Sequence, residues 1–253
     1  MPVVTKRLFA SLDVYHEAGA HSAAMNMAID EALLESVAVP AIRFYRWKSP
    51  ALSFGYFGRF AKVADYAAER DLVRRWTGGG IVFHGDDLTY SIIIRAQDAM
   101  FAQSSAFIYA AIHSALRDAL NIQGQHAELA PAAEAVVTDS ENSSRADRCY
   151  SRQLCFANPV RADVMIDSRK IAGAAQRRTR AGLLHQGSLQ LATGQVRVAA
   201  ATGHVDLGNG LAQRFARELS NVRSEKSLDK SLLERAEKIA ERKYGSNHWL
   251  KLR

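Results

Sequence analysis

Cysteine is nearly absent from this chain of 253 residues, which carries two, Cys149 and Cys155. So close a pair makes a poor structural staple, and no Cys/His spacing resembles a zinc site. At least one of the two is therefore a candidate reactive thiol in a reducing compartment. Long apolar runs are also lacking. No window approaches the roughly 18 to 20 apolar residues of a membrane span, and MPVVTKRLFASLD at the start has no signal-peptide core. The expectation is a cytoplasmic protein with no membrane contact. Missing too are the usual nucleotide signatures. The run Gly78-Gly79-Gly80 has no Lys-Ser/Thr after it, as a Walker loop would, and its spacing is wrong for a dinucleotide fingerprint.

What is present suits a globular chain. With 48% apolar residues the sequence can bury a real core, and its length suits one domain over 1–253. The formal charge of +7 points to an acidic partner without choosing among nucleic acid, anionic lipid and acidic proteins. Residues 21–37 read as a core-packing helix capped by Ser22, on which Asp30 and Glu31 are expected to be solvated. RFYRWKSP reads as a strand with ALSFGYFGR as its partner, Asp65 to Asp71 as a helix, and LTYSIIIR as a central strand. Residues 105–120 form a second amphipathic helix with Ser104 or Ser105 as cap. A composition rich in Ala, Ser, Glu and Asn predicts a mobile loop around 121–150. A further amphipathic helix is expected at about 227–243.

Two stretches carry chemistry. Three consecutive glycines between Arg75 and the apolar strand Ile81-Val82-Phe83 imply a tight backbone path, able to lay N–H groups against a phosphate or carbonyl oxygen beside Arg74 and Arg75. The second stretch, from Cys155 to Ser188, begins with a thiol. In ADVMIDSRKIAG, Val164 and Ile166 share a face, Asp167-Ser168 form the turn, and Lys170 starts the return strand. Gly173-Ala174-Ala175 leaves the backbone open to close approach, and GLLHQGSLQL returns as a strand carrying His185. On pattern alone this also fits an ordinary hairpin with a surface lysine.

KIAGAAQRR followed by LLHQGSL resembles the lysine region of the lipoate-protein ligase and octanoyltransferase family. NMAIDEALLE (26–35), RFYRWKSPALSFGYF (43–57) and RRWTGGGIVFHGDDLTYSI (74–92) resemble its other blocks, in the same order. The resemblance implies an α/β fold of the biotin/lipoate protein ligase type, a mainly antiparallel sheet flanked by helices. It also places Arg75, Gly78, Gly79, Gly80, Gly173 and Ala174 around an acyl or nucleotide pocket, with Lys170 catalytic and His84 at a matching position.

Two chemistries then compete. The transferase branch takes octanoate, or lipoate, from an acyl carrier protein thioester through a cysteine nucleophile to a lysine of a lipoyl carrier domain, with no cofactor. Cys155-Phe156, Pro159 and Lys170 reproduce its arrangement, whereas Cys149 does not. The ligase branch activates free lipoate with ATP and magnesium, often with a further C-terminal domain or partner, and the chain stops at Arg253. Gly80 stands where many such transferases have arginine, Ser168 replaces a turn glycine, and Trp76 replaces a smaller residue. The expected reading is an octanoyl or lipoyl transferase with Cys155 and Lys170 catalytic, His185 or His84 accepting the amine's proton, and no metal. Arg177, Arg178 and Arg180 are expected to dock the acidic carrier. A nucleic-acid-binding module would explain the charge but not the glycine loop and cysteine, whereas a degenerate ligase that only senses acyl groups would keep the pocket and lack activity.

Overall fold

The computed structural model describes residues 7–85, 87–131, 156, 158–190 and 210–253. Its first elements are β1 (Leu12–His21), α1 (Ala23–Ser36), β2 (Ala41–Trp47), β3 (Ala51–Phe54), β4 (Asp71–Arg74), β5 (Ile81–His84) and β6 (Asp87–Arg95). There follow α2 (Ser105–Asn121), β7 (Glu128–Leu129), β8 (Val164–Ile166), β9 (Arg169–Arg178), β10 (Gly182–Gln190), α3 (Leu211–Leu219), β11 (Arg223–Lys226), α4 (Lys230–Ile239) and α5 (Asn247–Leu250).

Eight strands make the main sheet, in the order β11-β1-β2-β6-β10-β9-β8-β7. Every pairing from β2 to β7 is antiparallel, while β1 runs parallel to both β2 and β11. The mainly antiparallel expectation therefore describes most of this sheet. Central β6 is buried along nearly its whole length, as a strand covered on both faces must be. On one face Tyr90, Ile92 and Ile94 pack with Ile108, Ile112 and Leu116 of α2 and Phe215 of α3. On the other, Tyr45, Ile93 and Leu184 pack with Met27, Ile29 and Leu33 of α1, and beyond them lie Leu232 and Ala236 of α4.

Local signals place most of these elements. Ser22 caps α1 by accepting from the Met25 amide at 3.3 Å, and Ser104 caps α2 by accepting from Phe107 at 3.1 Å. The β8–β9 hairpin turns on Asp167 and Ser168, both at positive φ (48° and 59°), the backbone a two-residue primed turn requires.

Two expectations need correction. β3 does not pair with β2; it joins β4 and β5 in a separate three-stranded sheet, parallel to β4 and antiparallel to β5. Residues 60–68 form two short 3₁₀ turns instead of an α-helix, and Asp71 already begins β4. The helix expected at about 227–243 is α4, continued by a π-helical turn at Ala240–Tyr244. Of the loop expected around 121–150, residues 132–150 lie outside the described residues. Among the described residues no helix is long and apolar enough to cross a membrane.

Candidate active site

Between the two sheets lies a slot enclosing about 400 Å³ of empty space, its mouth included. The register explains its direction. Tyr45 faces Thr89, Thr89 faces Ser188, and Ser188 faces Gly173, so four strands contribute one residue each to a row running straight across the sheet. All four residues line the slot. The row crosses three inter-strand gaps, about 14 Å at the usual strand spacing. That leaves room for an extended chain of about eight carbons lying perpendicular to the strands.

The next row holds the slot together. Arg43, Ser91 and Gln186 are mutual neighbours across β2, β6 and β10, and all converge on Asp30 of α1. Asp30 accepts from Arg43 Nη1 (2.8 Å), Ser91 Oγ (2.7 Å) and Gln186 Nε2 (2.7 Å). Its expected exposure is wrong, because the carboxylate is fully buried. Glu31 is likewise engaged, accepting from Lys243 Nζ (2.6 Å) and Tyr244 OH (2.5 Å). Gln186 also accepts from Thr77 Oγ1 (2.8 Å), tying the start of the glycine loop to the same network.

That loop closes the slot from above. Gly79 sits at φ +86°, a conformation L side chains rarely adopt. A Cβ there would lie 3.3 Å from that of Ala175, so the loop meets β9. Arg75 is buried, and it faces inwards: Nη1 donates to Ser53 Oγ (2.7 Å) and Nη2 to the carbonyls of Gly78 and Gly80 (both 2.9 Å). Arg74 donates to the carbonyls of Tyr56, Gly58, Trp249 and Leu250. Arg74 thus holds backbone in place, and Arg75 braces the glycine loop while lining the slot.

His84 lies at the β2 end of the slot, stacked on Trp47 at 4.0 Å. Its Nδ1 meets Asp87 Oδ2 and its Nε2 meets Ser53 Oγ, each at 2.7 Å. Arg75 can donate but not accept, so the Ser53 hydroxyl proton is free for Nε2 and the Nδ1–H tautomer satisfies every group. Burial would raise the Asp87 carboxyl. Neighbouring His84 and hydrogen bonds from His84, Ser188 and Gly85 outweigh it and hold the group at about 2.

Lys170 stands at the opposite end. β8 and β9 lose register between Val164 and Met165, and this irregularity lets the Lys170 side chain fold over Gly173. A Cβ on Gly173 would lie 2.5 Å from Lys170 Cε and 2.7 Å from Nζ. The ammonium pairs with buried Asp163 at 2.8 Å. Asp163 also accepts from Tyr109 OH (2.5 Å) and the Val160 amide (2.6 Å). Burial and the adjacent Asp163 raise the Tyr109 phenol, keeping it a donor. Tyr109 also caps the Ala174 amide (3.1 Å), so the N–H at Ala174 is already taken.

His185 occupies the other face of β10, away from the slot. It is fully buried against Tyr90, Tyr109 and His113, and burial, then His113, lowers its pKa well below the usual histidine range. Of the two histidines singled out in the sequence, His84 alone lines the slot. Arg178 is turned to the carbonyls of Phe101 and Gln103, Arg177 lies over Tyr56 and Trp76, and Arg180 is exposed. Cys149 and Cys155 lie outside the described residues, but Phe156, which follows Cys155, has its ring centroid 5.7 Å from Lys170 Nζ. Sequence reading missed Asp163, Tyr109, Ser53 and Asp87 as site residues. Asp163 and Tyr109 meet Lys170 only through the tertiary fold. His84 and Asp87 stand three apart at the start of a strand, which was a usable signal.

Solved structures share this architecture. A T. acidophilum protein described as a lipoate protein ligase, solved with bound lipoic acid, superimposes with a TM-score of 0.68 at 20% identity, covering 96% of this chain and 99% of that one. A lipoate-protein ligase A bound with ATP gives 0.67 at 21% identity, covering 97% and 100%. The fold is therefore that of the lipoate ligases. At the level of sequence, the chain belongs to the family of the lipoyl protein ligase A/B catalytic domain, whose model matches residues 22–225. Among its curated relatives are proteins named octanoyltransferase LipM. That of Anoxybacillus flavithermus is 35% identical over 184 residues and that of Bacillus cereus 37% identical over 186 residues, covering 69% and 70% of this chain. The chain spans 64% of the length of each.

Proposed function

We propose that this protein is an acyltransferase that moves octanoyl, with lipoyl as the variant substrate, from an acyl carrier protein thioester through Cys155 to a lysine of a lipoyl carrier domain. One observation carries the reading: the Lys170 ammonium stands over Gly173 at one end of the slot, beside the residue that follows Cys155. The relatives named octanoyltransferase support it. Each methylene buried in the slot contributes roughly 0.8 kcal/mol.

The Cys155 thiolate attacks the thioester carbonyl, the carbon–sulfur bond to the carrier breaks, and the carrier leaves as its thiolate. Lys170 stabilises both the thiolate and the negative charge developing on the carbonyl oxygen. With the Ala174 amide held by Tyr109, that charge falls to Lys170 more than to backbone donors. The acceptor amine then attacks the acyl-enzyme, an amide forms, and the Cys155 thiolate is released. Thioester energy drives both steps, so ATP has no part. His84 lines the slot at the end opposite Lys170, so the amine's proton passes to the released Cys155 thiolate.

The ATP-dependent ligase reading needs phosphate neutralisation at the glycine loop, where Arg75 is already engaged by the Gly78 and Gly80 carbonyls. Intact mass after incubation with octanoyl carrier protein decides the matter. We predict an octanoyl adduct in wild type, none in Cys155→Ala, an unchanged adduct in Cys149→Ala, and slowing by about 10²-fold or more in Lys170→Ala. Normal transfer by Cys155→Ala, or ATP-linked pyrophosphate release from free lipoate, would sink the covalent mechanism.

A further inference from the structure

A second concavity, about 780 Å³ including its mouth, lies outside the glycine loop. Phe57, Arg59, Lys62 and Ile81 line it, and Gly79 and Gly80 form its inner end. Gly79 also lines the acyl slot. Because Gly79 abuts Ala175, two residues beyond Gly173, the groove reaches the slot at the Lys170 end and not at the Trp47 end.

The groove's chemistry is amphipathic in a particular order. Its outer rim is cationic: Arg59 and Lys62 are exposed, and among the described residues neither forms an ion pair. Arg253 lies over the Phe57 ring at 5.4 Å, and Lys251 over Phe60 at 5.5 Å, adding charge of the same sign. No acidic residue lines the groove. Phe57, 69% exposed, then gives an apolar wall between this rim and the glycine loop.

We infer that this groove holds the prosthetic arm of the acyl donor, with the arm's phosphodiester on Arg59 and Lys62, its methylenes over Phe57 and Ile81, and its thioester passing Gly79 to reach Lys170. The assignment rests on the acyl-transfer reading above and specifies how the donor is recognised. A flexible arm with an anion at its outer end and a thioester at its inner end matches the order of the groove's chemistry. The arginines at 177, 178 and 180 are the competing anchor.

Two small donors separate these outcomes: octanoyl-phosphopantetheine and octanoyl-pantetheine, identical except for the phosphate. Adduct formation is followed for wild type, R59Q/K62Q, R59E/K62E and R178Q/R180Q, with thermal melts confirming folding. Wild type should show a KM about tenfold lower for the phosphorylated donor, the scale of a lost charge-assisted hydrogen bond. Both Arg59/Lys62 variants should erase that preference while leaving kcat and the use of octanoyl-pantetheine unchanged. R178Q/R180Q should keep it. Equal KM values in wild type, or a preference that survives R59E/K62E, would overturn the groove assignment while leaving acyl transfer standing. No adduct from either donor would overturn the acyl-transfer reading and the assignment together.

Discussion

Gly173 and Gly187 sit on neighbouring strands of one hairpin, yet they make room for different things. At Gly173 an added Cβ would collide with the flexible end of Lys170, 2.5 Å from Cε and 2.7 Å from Nζ. At Gly187 it would lie 2.2 Å from Cζ of the buried Tyr90 ring, which has nowhere to go. Gly173→Ala should therefore leave the melting temperature nearly unchanged while displacing the ammonium and slowing acyl-enzyme formation by about tenfold or more. Gly187→Ala should overpack the core and destabilise the protein by about 1–3 kcal/mol. Paired melts and adduct kinetics test the contrast. A Gly173→Ala protein with wild-type rates would show that the position of Lys170 does not matter.

The elements divide in the same way between what the chain announces and what it conceals. The turn at Asp167-Ser168, the caps Ser22 and Ser104, the glycine loop and the Lys170 hairpin are settled by neighbours a few residues apart, and local pattern reveals them. The departure of β3 into a second sheet, the parallel pairing of β11 with β1, and the burial of Asp30 depend on partners tens to hundreds of residues away. Apolar strand residues pack equally well against either sheet, and an acidic residue on a helix looks solvated until Arg43, Ser91 and Gln186 arrive. The slot belongs to this second kind, because its row of Tyr45, Thr89, Ser188 and Gly173 exists only through register. With Lys170 at the β9 end, the acyl-transfer proposal assigns chain length to the β2 end, which Trp47 closes, stacked on His84 and donating to Thr89 Oγ1 at 2.8 Å. Trp47→Ala should shift the preferred donor from eight carbons to ten or twelve. Competition between thioesters of graded length would show it. A uniform drop for every length would mean that Trp47 only supports the fold.

At the scale of the whole molecule, the layer between α2 and the main sheet conceals an acid-sensitive group. His113 is completely buried, its Nδ1 donating to the Ala162 carbonyl at 2.7 Å, with Tyr109 and His185 against its ring and Asp163 and Lys170 nearby. Burial lowers its pKa to about 4, against roughly 6.5 in an unfolded chain. As pH falls below about 6.5 the unfolded state takes up a proton that the native state refuses until about 4. Stability is therefore full above that window and declines through it. For His113 alone the loss between pH 7 and pH 5 is about 2 kcal/mol, and His185 acts in the same direction. Asp87, held at about 2, adds its own loss only at lower pH, between roughly 4 and 2. His113→Asn keeps a donor for the Ala162 carbonyl but cannot titrate. It should cut the stability lost between pH 7 and pH 5 by about 2 kcal/mol, read from urea unfolding at the two values. Equal losses in wild type and variant would show that His113 is already protonated, or already solvated, in the native protein.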